Sequence, residues 1–131
     1  MLGVGTHSYW EVCRARALRP SYIACGPIHA TASKQGPWRP QGDANLAYWC
    51  RLLADVPVVA IGGMDVPRAR AAMRAGASAV AVVGAIARSD DPEAAIAELR
   101  WAIHVGAGEA TLGDAMDDGF ARSTLSAAPV H

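Results

Sequence analysis

Thr31, Ser33 and Lys34 put two hydroxyls and an ammonium into one short stretch, Gly26-Pro27-Ile28-His29-Ala30-Thr31-Ala32-Ser33-Lys34. Hydroxyls donate hydrogen bonds and an ammonium adds a compact positive charge, a combination that suits the oxygens of a phosphate. Lys34 is the only lysine; the other eleven of the twelve basic residues are arginines. Taken alone, the stretch fits a solvated surface loop as well as a ligand loop. Three further small or polar clusters widen the case: Gly5-Thr6-His7-Ser8, Gly62-Gly63 and Val83-Gly84-Ala85. Glycine permits close backbone approach, and free N–H groups at a strand end can hold an anion. Glycines also simply make tight turns, so it is the recurrence together with the Thr/Ser/Lys loop that points to a phosphorylated ligand.

Other candidates carry two readings each. His7 could move a proton near neutral pH or only brace a neighbouring loop, and His29 has the same options. Trp38 could cover a ring, although Trp10, Trp49 and Trp101 read as packing residues. Asp90-Asp91 looks like a carboxylate pair, yet Asp91 before Pro92 accounts for itself as a helix cap.

The elements that must position these residues follow from periodicity. Leu2-Gly3-Val4 is short and apolar, and Ser8-Tyr9-Trp10-Glu11 is a capping-box pattern predicting a helix over Tyr9 to Leu18, ended by Pro20. Tyr22–Cys25 reads as a buried strand. The Gly- and Pro-rich stretch to Gln41 reads as a loop, and Asp43 as the cap of a second helix carrying Leu46, Cys50 and Leu53. Val58–Ile61 is apolar without alternation, as in parallel strands covered on both faces. Asp65 caps a third helix with Pro67 in its first turn, and Gly76 closes it. Ala79–Val82 is the fourth strand, followed by a turn and a last helix from Asp91-Pro92 to about Val105. The pattern is strand, helix, four times over: an α/β chain with a parallel sheet and ligand-binding loops on one rim. Residues 106–131, rich in Gly, Ala, Asp and Ser, are expected to be a low-complexity tail, with disorder as one option.

With 131 residues and 52% hydrophobic content, the chain can build one core of its own. Twelve basic and twelve acidic residues cancel, which argues against nucleic acid and membrane surfaces as partners. Cys13, Cys25 and Cys50 lack metal-ligand spacing and read as free thiols of a reducing compartment. No leader or membrane-spanning run is evident, so a cytoplasmic location is expected.

The chain resembles the thiamine phosphate synthase family. The residues that carry the likeness are Gly3-Val4-Gly5-Thr6-His7-Ser8, Tyr22 through Lys34, Pro57-Val58-Val59-Ala60-Ile61-Gly62-Gly63, Arg74-Ala75-Gly76-Ala77 and Val80 through Ile86. Order and spacing agree over roughly residues 2–104. The resemblance implies part of a (β/α)₈ barrel that joins an aminopyrimidine diphosphate to a thiazole phosphate, releasing pyrophosphate. It implies that Thr31, Ala32 and Ser33 contact the thiazole phosphate, and that Gly63 and the Val83-Gly84 pair offer it backbone N–H groups. Lys34 would be the catalytic residue, stabilising the diphosphate as it leaves.

Two departures qualify the likeness. The family usually carries Ser at the position of Gly5, which removes one contact to the diphosphate. The match also covers only the family's second half, four βα units where a whole barrel takes about 250 residues. The resemblance implies Mg²⁺, with ligands in the absent first half, and no metal ligand is assigned here. The expected complements are a second copy, the missing N-terminal half, or a longer chain fused to a pyrimidine kinase. Two other readings stay open: a non-catalytic phosphate-binding or interaction half-barrel, and the related thiazole tautomerase, with His7 moving the proton.

Overall fold

The computed structural model describes residues 1–33 and 36–126. Four strands, β1 (Gly3–Thr6), β2 (Tyr22–Cys25), β3 (Val58–Ile61) and β4 (Ala79–Ala81), alternate with helices α1 (Tyr9–Ala17), α2 (Gly42–Leu52) and α3 (Val66–Arg74). A short α4 (Gly84–Ala87) and a long α5 (Pro92–Ser126) follow. The sheet is parallel throughout and its spatial order is the chain order, β1-β2-β3-β4. Parallel neighbours cannot be joined by hairpins, so each helix is a crossover. The expected α/β architecture of four consecutive βα units is present.

One face of the sheet carries the core. Ile23 and Cys25 of β2 lie beside Val58 and Ala60 of β3 in register, all buried. Val12 of α1, Leu46 and Trp49 of α2, and Ala72 and Met73 of α3 close over them. The other face presents Gly3, Gly5, Tyr22, Ala24, Val59, Ile61, Ala79 and Ala81, none of them fully buried, and Ile61 is 39% exposed. Strand β3 therefore alternates in burial, contrary to the expectation of a strand covered on both faces. Its sequence is apolar on both sides, and among the described residues only the helix side is covered.

Local chemistry explains most helix ends. Asp65 accepts from the Arg68 N–H at 2.9 Å and Pro67 sits in the first turn of α3. Gly76, at φ +107, ends that helix with Gly76 N–H to Met73 O and Ala77 N–H to Ala72 O, the paired bonds of a Schellman cap. Asp91 accepts from the Ala94 N–H at 3.0 Å, the capping role its position suggests. Asp43 does not cap α2. The helix begins one residue earlier, where Gln41 and Gly42 N–H groups bond to Pro27 O and Ile28 O, and Asp43 instead pairs with His29 Nε2 at 3.1 Å.

The largest difference concerns residues 106–126, which continue α5 rather than forming a tail. Four glycines hide this helix in the sequence, since each lowers helix propensity by about 1 kcal/mol against Ala. Tertiary contact compensates. Gly106 lets α5 press onto α3, where a Cβ would stand 2.9 Å from Met73 Cβ, and Glu109 pairs with Arg70. Residues 127–131 of the expected tail lie outside the described residues.

Candidate functional site

Gly62 and Gly63 follow β3 at φ +105 and +61, a region side-chain-bearing residues seldom enter. Their shape is dictated by the loop after β2, which lies directly on them. Ile28 N–H bonds to Ile61 O at 2.9 Å and His29 N–H to Gly62 O at 3.2 Å. A Cβ at Gly62 would stand 2.6 Å from Pro27 Cα, and one at Gly26 would stand 2.5 Å from Ile61 O. The Gly26–Ala30 backbone is thereby clamped to the end of β3, and Thr31, Ala32 and Ser33 emerge beside it.

These loops and the one after β4 enclose a cavity of about 770 Å³. Thr31, Ala32, Ser33, Gly63, Val83 and Gly84 all line it, so all the substrate-contact candidates but one meet in a single space. The exception, Lys34, lies outside the described residues. Thr31 Oγ1 accepts from the Ser33 N–H at 3.2 Å, which folds the loop into a tight turn and leaves the Thr31 O–H proton available. Val83 caps the short α4 and Gly84 opens it, with the Ile86 and Ala87 N–H groups both bonded to Val83 O.

His7 joins the same cavity from the loop after β1. Its imidazole stacks on Trp38, ring centroids 3.9 Å apart and 14° between planes. Glu11 Oε2 takes both the His7 N–H at 2.7 Å and His7 Nδ1 at 3.1 Å, while Ser8 Oγ accepts from the Glu11 N–H. The capping box thus closes one residue early, on His7 rather than Ser8. The His7 N–H, and then the ring, hold the Glu11 carboxyl below its ordinary range. Gln41 Nε2 donates to His7 O at 2.7 Å and ties the first loop to the third. His29 lies outside the cavity lining, on Asp43.

Sequence reasoning misses two cations here. Arg68 and Arg88 both line the cavity. Arg68 stands in the first turn of α3, where helical side chains lean back toward the N-terminus, and its Nη1 donates to Gly63 O at 3.0 Å. Arg88 follows Gly84 by one helical turn. The signal was present in both cases: an Arg placed three residues after an N-cap, or four after a strand-end glycine, faces the strand ends. The cavity's carboxylate is Asp65, already engaged by the Arg68 N–H. Among the described residues no three His, Cys, Asp or Glu side chains come together as a metal site. Among the described residues of the lining, Asp65 is the one carboxylate that could offer oxygens to the magnesium that the resemblance implies.

A family model described as thiamine monophosphate synthase matches residues 1–86. A thiamine-phosphate synthase of Salmonella newport (strain SL254) is 49% identical over 98 residues, covering 75% of this chain and 46% of that protein. That of Salmonella choleraesuis (strain SC-B67) is 47% identical over 105 residues, 80% of this chain and 50% of the relative. Among solved structures, a thiamine phosphate pyrophosphorylase from Pyrococcus furiosus superposes with a TM-score of 0.71 at 27% identity, over 79% of this chain and 48% of that one. The chain spans about half the length of each of these proteins.

Proposed function

The chain belongs to the thiamine monophosphate synthase family, and from that premise we propose that its cavity holds the thiazole phosphate during thiamine phosphate synthesis. The observation that carries this reading is the meeting of the Thr31–Ser33, Gly62–Gly63 and Val83–Gly84 loops around one space. Thr31, Ser33 and the N–H groups of Gly63, Val83 and Gly84 take the phosphate oxygens, with Ala32 alongside. Lys34 meets the diphosphate of the aminopyrimidine. As the C–O bond to the diphosphate breaks, the pyrimidine methylene carbon becomes cationic and the thiazole nitrogen captures it. The diphosphate departs with both electrons of that bond. The protein's part is to align the two rings and to stabilise the leaving charge.

Four βα units supply half of this machinery. Among the described residues, the edges β1 and β4 keep unpaired backbone groups, and the face bearing Tyr22, Val59 and Ile61 has no full cover. Such edges seek a partner. We propose that four further units complete an eight-stranded ring and bring the diphosphate-binding cations and the magnesium ligands. A second copy, or a longer chain fused to a pyrimidine kinase, is an alternative source of cover. The purified chain is expected to bind thiazole phosphate and to release no thiamine phosphate from the two substrates with magnesium, whereas adding the complementary half restores synthesis. Synthesis by the chain alone would refute the need for a second half. No binding of thiazole phosphate by either preparation would refute the site and favour a non-catalytic half-barrel.

One observation favours a second reading, thiazole tautomerisation. Glu11 occupies His7 Nδ1 and leaves Nε2 as the nitrogen able to exchange a proton. Tautomer conversion that disappears in His7→Ala would establish that activity.

A further inference from the structure

The guanidinium of Arg88 has no hydrogen bond or ion pair to any side chain or carbonyl among the described residues, although it lines the cavity. It is folded back over Gly84: a Cβ at position 84 would lie 2.6 Å from Arg88 Cζ. The two positions are one helical turn apart, and only the missing side chain at 84 opens the space that the guanidinium fills. Gly84 needs no positive φ, so its backbone does not call for glycine. The other arginine of the cavity is differently engaged, with Arg68 Nη1 donating to Gly63 O and facing Asp65 Oδ2 at 3.8 Å. Arg88 therefore brings a whole unneutralised charge and unspent donors to the loop after β4.

We propose that Arg88 is a phosphate ligand of this cavity, admitted by Gly84, and that it sets the preference for a phosphorylated over an unphosphorylated thiazole. The assignment rests on the reading that the cavity takes a thiazole phosphate. A planar guanidinium gripping two phosphate oxygens adds directional hydrogen bonds that backbone N–H groups and hydroxyls alone do not supply. Gly84 and Arg88 then act as a unit. A side chain at 84 would push the guanidinium off the cavity floor without straining the main chain.

The test is calorimetric titration of the full chain with hydroxyethylthiazole phosphate and with its unphosphorylated alcohol. The wild type is expected to prefer the phosphate. Arg88→Gln is expected to lose roughly ten- to a hundredfold in affinity for the phosphate, the size of a charged hydrogen bond, with little change for the alcohol. Gly84→Ala, with Arg88 intact but displaced, is expected to lose preference in the same direction, and Arg88→Lys to recover part of it. A wild type that prefers the phosphate and an Arg88→Gln variant that keeps that preference would overturn the role of Arg88 while leaving the site reading intact. A wild type that binds the alcohol as well as the phosphate would overturn both.

Discussion

His7 lies flat on Trp38, 3.9 Å between ring centroids, and the contact joins the loop after β1 to the loop after β2 across the mouth of the cavity. The two residues are far apart in sequence and neither belongs to a strand or helix. The stack is therefore a tertiary lock on the loops rather than a by-product of the sheet. Trp38→Ala is expected to lower stability by about 0.5–1.5 kcal/mol, the usual worth of an aromatic pair, because Trp38 is 37% exposed and sits outside the core. Urea unfolding measures it. A loss above about 3 kcal/mol would mean that Trp38 behaves as a core residue instead.

The same loop carries a pH signature. Glu11 is held below its ordinary value of 4.5 by the His7 N–H and ring. A carboxyl depressed on folding adds stability that is complete above the unfolded value and fades as pH falls through the folded one. Stability should therefore decline below about pH 4.5 more steeply in the wild type than in Glu11→Gln. Identical acid limbs in urea titrations of the two proteins would remove Glu11 as a contributor.

Glycines after different strands should respond differently to substitution. Gly63 has φ +61, and a Cβ there would stand 2.9 Å from His29 Cβ. Gly63→Ala is expected to cost about 1–2 kcal/mol from the backbone alone, with further loss from displaced loop atoms. Nothing lies within 4 Å of a Cβ at Gly5. Gly5→Ser should leave the melting temperature unchanged and, in the completed barrel, raise turnover by restoring the hydroxyl common in the family. A large drop in melting temperature for Gly5→Ser would place that position in a packed interface.

The chain's thiols should also separate. Burial pushes the Cys50 thiol up to about 11 and raises Cys25 as well, whereas Cys13 is exposed. Since the thiolate is the nucleophile, Cys13 should be alkylated by iodoacetamide at pH 8 well before the other two in the native protein. Mass spectrometry of partially modified chain reads the order directly. Early labelling of Cys25 would mean that the sheet opens on its helix side.

Much of this architecture is written locally. Asp65, Pro67 and Gly76 bracket α3 by chemistry that acts within one turn, so that helix could be read to the residue. The strands before Gly26, Gly62 and Gly84 were equally plain, and with them the loops that meet at the cavity. What escaped was set by contacts distant in sequence. Asp43 looks like a cap because its alternative partner, His29, sits in another loop. Arg68 and Arg88 look like surface arginines until the sheet turns their loops toward one rim. The second face of β3 reads as buried because hydrophobicity reports a need for cover, and none of the described residues supplies it.

The far half of α5 escaped for the same reason, and it yields the most direct structural test. Gly106, Gly108, Gly113 and Gly119 are poor helix formers, so isolated residues 106–126 have little intrinsic reason to be helical. The contacts that hold the start of this stretch are with α3 and the core, at Gly106, Ala107 and Glu109. Arg70 donates to both Glu109 oxygens, which raises the arginine and lowers the carboxyl from their ordinary values, and its guanidinium also lies 5.8 Å from the Trp101 ring. That pair is solvent-accessible, so Glu109→Gln alone should shift the melting temperature little. Ending the chain after Val105 removes more. It strips Gly106 from Met73 and Ala107 from the core, and leaves Arg70 without its carboxylate, exposing apolar surface on α3. A truncated chain should therefore melt several degrees below the full one, and Glu109→Gln should fall close to the full chain. Equal melting of truncated and full chains would show that α5 contributes nothing to the fold beyond its first turns.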